Sequence, residues 1–149
     1  MQTRHFLLVL IGGLALAASA WAADRADDVE AQKELAAQGY SWAQAALGLR
    51  YSQGHGVAQD YAEALKWYRR AAAKGNASAQ YNLGVLYLTG QGVARDEVQA
   101  YKWLDRAAAT YPANAEREAA VQTRDSVAAR MTPAQIAEAQ KLAQEWKPQ

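Results

Sequence analysis

Apolar positions along the chain fall at helical spacing, in blocks separated by glycine-rich breaks. Between Ser41 and Gln53, Ala43, Leu47 and Tyr51 line up with Arg50 beside them. The string Gly54-His55-Gly56-Val57-Ala58-Gln59 cannot continue a helix and reads as a turn. A second stripe then runs through Tyr61, Ala64, Leu65, Tyr68, Ala71 and Ala72, stopped by Gly75 and Asn76. The two stripes predict a helical hairpin, helix A then helix B.

The hairpin recurs 36 residues later. Leu47, Gly48, Tyr51, Gly54, Gly56, Val57, Asp60, Ala64, Trp67, Ala71 and Ala72 return as Leu83, Gly84, Tyr87, Gly90, Gly92, Val93, Asp96, Ala100, Trp103, Ala107 and Ala108. Tyr111 alone departs, standing where Gly75 predicts a glycine. A period of this length belongs to stacked helical hairpins. Asp60-Tyr61-Ala62-Glu63 and Asp96-Glu97-Val98-Gln99 have the spacing of capping boxes at the start of each helix B. Gly48 and Gly84 sit inside helix A, where glycine costs about 1 kcal/mol relative to alanine. Close approach of helix B is the expected compensation.

The strings Leu-Gly-Leu-Arg-Tyr-Ser-Gln-Gly-His-Gly-Val from Leu47 and Leu-Gly-Val-Leu-Tyr-Leu-Thr-Gly-Gln-Gly-Val from Leu83 resemble Sel1-like repeats, relatives of the tetratricopeptide repeat. The resemblance implies an all-α, short αα-solenoid with capping helices at both ends. It also implies an adaptor that works by protein–protein interaction, of a kind often found exported in bacteria. The units read as a half repeat over 24–40, repeat 1 over 41–76, repeat 2 over 77–111 and capping helices over 112–149. Asp24 stands 36 residues ahead of Asp60, so 24–38 is expected to be an unpaired helix B. One helix is expected from about Asn114 to Arg130. Another should start at Thr132-Pro133-Ala134-Gln135, with Ile136, Ala139, Ala143 and Trp146 on its apolar stripe.

Residues 1–22 have the layout of a secretory signal peptide. Arg4 precedes an apolar run from Phe6 to Ala18, and small residues allow cleavage after Ala20 or, as the acidic Asp24 favours, after Ala22. The run is shorter than the roughly 20 residues of a membrane span. The expectation is a periplasmic or secreted domain over 23–149, with no stable membrane insertion after cleavage. Cleavage takes one basic residue and no acidic one from totals of 16 and 15, leaving 15 of each. A neutral chain argues against nucleic acid as a partner. The sequence has no cysteine, which excludes disulfides and thiolate metal sites.

Catalytic chemistry finds little support. His55 is the one histidine beyond the leader, and Gln91 takes its place in the next unit. Asp60, Glu63 and Asp96 are accounted for by capping, and the serines lack the strand–turn–helix setting of a nucleophile. No catalytic, cofactor or metal residue is expected. Some cysteine-rich relatives are associated with penicillin binding, which leaves a β-lactam-binding enzyme as one alternative. A regulator or inhibitor of an envelope enzyme or sensor is another.

In solenoids of the related type helix A lines the concave face. The row Trp42, Ala45, Leu49 and Ser52, with Ser78, Tyr81, Val85 and Leu88 and the adjoining Asn82, is therefore the candidate partner-binding surface for a protein or peptide. The two copies disagree at several of these positions, as expected where packing does not dictate the residue. The competing expectation is that the C-terminal helices cover this face.

Overall fold

The first described helix begins one residue after an aspartate cap: Asp28 accepts from the Glu30 N–H at 3.0 Å. A computed structural model describes residues 28–149. The leader reading over 1–22 and Asp24, the expected start of the half unit, lie outside the described residues. The helices are α1 Val29–Ala37, α2 Ser41–Gln53, α3 Tyr61–Ala73, α4 Ala77–Thr89, α5 Glu97–Thr110, α6 Ala115–Ala128 and α7 Pro133–Glu145. No strand occurs among the described residues. Helices α2 and α3 form one hairpin, α4 and α5 the next, and α1 packs on α2, opening at Val29 behind the Asp28 cap where the spacing predicts a helix over 24–38.

Each helix A ends on a glycine in the left-handed region, Gly54 and Gly90, both at φ +71°. The chain then doubles back. The Asp60 N–H donates to the Tyr51 carbonyl and the Asp96 N–H to the Tyr87 carbonyl, both at 2.9 Å. This corrects the capping-box expectation for α3 and α5. The aspartates do cap, since Asp60 Oδ1 accepts from Ala62 and Glu63 and Asp96 Oδ1 accepts from Gln99. The reciprocal half is missing because the cap residue's own N–H closes the turn, and Glu63 instead pairs with Lys66 at 3.2 Å. Among the described helices α7 alone, with Thr132 and Gln135, carries the reciprocal box. Asp60→Ala should therefore cost about 1 kcal/mol in urea denaturation, and Glu63→Gln only a few tenths.

The glycines inside helix A mark the hairpin crossings. A Cβ on Gly48 would lie 2.7 Å from the Tyr68 ring, and one on Gly84 would lie 2.8 Å from Leu104 Cγ. Tyr68 and Leu104 are themselves 36 residues apart, so the same contact is built twice with different side chains. Around it Leu47, Ala64, Leu83, Ala100 and Leu104 are fully buried. A polar tie also repeats. Gln44 Nε2 donates to the Ala36 carbonyl at 3.0 Å and Gln80 Nε2 to the Ala72 carbonyl at 3.4 Å, joining each helix A to the helix B before it.

The C-terminal helices fall where the sequence places them, but they do not pair as a hairpin. Thr132 caps α7 at 36 residues beyond Asp96, so the caps stay in register while the packing changes. Both α6 and α7 pack on α5 rather than chiefly on each other. Helix α7 runs in the same direction as α5: Gln140 reaches the Tyr101 hydroxyl, and further on Trp146 meets Trp103 and Arg106. The physical reason is the loss of the glycine that admits a close helix B. Ala120 stands at the register position of Gly84, and Gln140 at that of Leu104. Beyond α7 the Gln149 N–H donates to the Ala73 carbonyl at 2.9 Å, tying the tail to the end of α3.

Candidate functional site

The predicted row on α2 and α4 does not remain one surface. Trp42 and Leu49, seven residues apart on α2, are 50% and 44% exposed. Ala45 between them is buried in the core beneath α4, so its side chain cannot reach a partner. Ser52 is half-buried; its hydroxyl donates to the Leu49 carbonyl at 2.9 Å and lies 3.5 Å from the Tyr68 hydroxyl. Burial pushes the Tyr68 phenol above its ordinary range, and the Ser52 contact partly offsets this.

On α4 the row divides again. Tyr81 and Leu88 face α6: the Tyr81 hydroxyl is 3.4 Å from Thr123 Oγ1, and Leu88 packs on the cluster of Val127 and Met131. Ser78 is exposed, and Asn82 and Val85 are half-buried. Asn82 Nδ2 donates to the Ser78 carbonyl at 2.9 Å, four residues back on its own helix. That leaves its side-chain oxygen as the group able to accept from a ligand. The row is thus divided: α6 covers Tyr81 and Leu88, while Trp42 and Leu49 on α2 stay exposed.

The open part is nearly free of charge. Helix α4 has no charged residue, and the one on α2, Arg50, donates through Nε to Gln32 Oε1 at 2.6 Å. His55 is exposed in its turn. No group of three or more potential metal ligands occurs among the described residues. No helix among them is long and apolar enough to cross a membrane.

Tyr40 belongs with the open surface, and the row-based reading missed it. It occupies the N-cap of α2, makes no capping hydrogen bond with its side chain and is 51% exposed. The equivalent residue of the next unit, Asn76, caps α4 by accepting from the Ala79 N–H at 2.9 Å. The signal was in the sequence. An asparagine cap in one copy is an aromatic in the other, a substitution that gives up about 1 kcal/mol of capping.

The family model for the Sel1 repeat matches residues 43–76 and 77–109. The chain is a Sel1-repeat protein. Among solved structures it is similar to c5321, described as a protective antigen present in uropathogenic Escherichia coli strains displaying an SLR fold. That match has 36% identity and a TM-score of 0.73, over 79% of this chain and 24% of the other. A Sel1 repeat protein from Oxalobacter formigenes matches with 35% identity and a TM-score of 0.61, over 66% of this chain and 27% of the other. The chain thus spans about a quarter of the length of these solved relatives. No curated protein matches the sequence. Sel1-repeat proteins are generally scaffolds for protein–protein interaction and are typically not enzymes.

Proposed function

We propose that this Sel1-repeat protein is an exported adaptor of the periplasm, which holds a partner protein on the open surface of its first repeat. The supporting observation is the exposure of Tyr40, Trp42 and Leu49 around a helix whose remaining apolar side chains are largely packed away. Large aromatic side chains with few rotatable bonds are the usual anchors of protein interfaces. The near absence of charge on α2 and α4 favours an uncharged, apolar partner segment, with the Asn82 side-chain oxygen placed to accept a backbone N–H. Export rests on the layout of residues 1–22, and mass spectrometry of the periplasmic protein should find it beginning at Ala23.

Co-purification from periplasm with quantified partners tests the surface. Trp42→Ala and Leu49→Ala together should lower retention of the partner at least tenfold, the scale set by losing about 1.4 kcal/mol or more of anchor contact. Equal retention by the variant, with an unchanged circular dichroism spectrum, would remove this surface from the reading. Tyr40→Asn carries a second expectation of opposite signs. Restoring the cap should raise unfolding stability by about 1 kcal/mol, while the loss of an aromatic anchor weakens partner binding.

A further inference from the structure

Repeat 2 shows how the outer edge of a helix B accepts an aromatic side chain. Trp146 meets the Trp103 ring edge-on, with centroids 6.3 Å apart and planes at 72°. The Arg106 guanidinium lies 4.6 Å from the Trp146 ring centroid. The far edge of the indole is 3.8 Å from the point a Cβ on Gly75 would hold, and Gly75 adopts φ +85°. Glycine, tryptophan and arginine thus make three sides of a seat, and the Trp146 indole fills it.

The same three residue types stand 36 positions earlier, as Gly39, Trp67 and Arg70. Gly39 has the same left-handed backbone, at φ +96°. Here Arg70 and Lys74 of the unit itself lie at the seat, while Lys66 stacks on Trp67 as Lys102 stacks on Trp103 at 4.6 Å in the occupied copy. The Arg70 guanidinium lies 4.7 Å from the Trp67 ring centroid, and Lys66 Nζ lies 5.9 Å from it. Lys74 Nζ donates to the Gly39 carbonyl and stands 2.8 Å from the point a Gly39 Cβ would hold, the side on which Gly75 faces Trp146. Lys66, Arg70 and Lys74 are exposed, long and able to swing aside. Lys66 pairs with Glu63, while Arg70 and Lys74 make no ion pair among the described residues.

We propose that Gly39, Trp67 and Arg70, flanked by Lys66 and Lys74, form a second seat that takes an aromatic side chain of a partner protein with carboxylates beside it. The aromatic requirement comes from the occupied copy in repeat 2. The acidic requirement comes from the cations, which draw carboxylates and stack on aromatic faces. The chain's own occupant has this chemistry in miniature, since Glu145 directly precedes Trp146. These residues lie on α3, at its C-cap and on the α1–α2 link, sharing none with the surface of Tyr40, Trp42 and Leu49. The inference therefore stands or falls separately from the adaptor reading.

The test uses the whole chain over 23–149 and a fluorescein-labelled hexapeptide, Gly-Asp-Glu-Trp-Glu-Gly, titrated by fluorescence anisotropy. Saturable binding is expected with Kd on the order of 0.1 mM. It should weaken about tenfold or more in Arg70→Glu and in Lys74→Glu, both exposed positions outside the core, and with alanine in place of the peptide tryptophan. Arg106→Glu should leave it unchanged. Absent binding, or binding insensitive to Arg70→Glu and Lys74→Glu, overturns the proposal. So does loss of binding in Arg106→Glu alone, which would mean that the peptide displaces Trp146. Self-association of the free chain that Arg70→Glu abolishes would assign the seat to a second copy, and would overturn the reading as a partner site.

Discussion

Gly84→Ala is expected to lower unfolding stability by about 2 kcal/mol, although alanine is the better helix former. The helix-propensity gain is about 1 kcal/mol, and overpacking a closed core costs about 3 kcal/mol. The new methyl would meet Leu104 Cγ at 2.8 Å and the Ala100 carbonyl oxygen at 3.2 Å, so both a side chain and the backbone of α5 must shift. Leu104 is fully buried and cannot swing into solvent. Leu104→Ala alone should cost about 3 kcal/mol by opening a cavity. In the double variant the methyl enters that cavity, so the combined loss should fall short of the sum by about 1 kcal/mol or more. Urea denaturation followed by circular dichroism measures all three. A stabilised Gly84→Ala would mean that close helix approach is not why glycine stands there.

Deleting residues 112–149 should abolish cooperative unfolding altogether. Helices α6 and α7 cover Tyr101, Leu104, Ala107 and Ala108 through Ala120, Val127, Met131 and Ala139. The tail adds the tie from Gln149 to Ala73 and the packing of Trp146 on Trp103. A solenoid holds together by contacts between neighbouring units, and two repeats with an uncovered end have too few of them. The shortened chain is expected to show no sharp thermal transition and to bind a hydrophobic dye. A cooperative melt within about 5 °C of the full chain would show that the repeats stand alone.

Most of the fold was legible because it is dictated locally and stated twice. Asp60 and Asp96 announce helix starts, Gly54 and Gly90 announce ends, and Gly48 and Gly84 announce crossings before their partners are known. What could not be read was which group each cap would pair with. The turn carries Asp60 close to the Tyr51 carbonyl, and that proximity decides the fate of its N–H against the Glu63 carboxylate. The packing of both C-terminal helices on α5 was hidden for a related reason. The sequence between 112 and 149 keeps helix caps in register but loses the side chains that select a packing partner, and Ile136 and Trp146 fit α5 as readily as α6.

The candidate surface was legible only in part. Spacing correctly put Trp42 and Leu49 on one side of α2, but it could not say that α4 buries Ala45 or that α6 covers Tyr81 and Leu88. Those outcomes depend on how neighbouring units stack, which no single helix encodes. Tyr40 was readable by another route, as an aromatic where Asn76 caps the other copy. Positions that agree between repeats are held by packing and capping. Disagreement between repeats is informative where the structure also leaves the side chain exposed.

Site-specific photo-crosslinking in the periplasm tests this account most directly. A photoreactive residue is placed in turn at Trp42, at Leu49 and at Glu138, an exposed position on α7. One discrete protein adduct is expected from positions 42 and 49 and none from 138. An adduct from 138 with none from 42 or 49 would contradict it, placing recognition on the C-terminal helices instead of the first repeat.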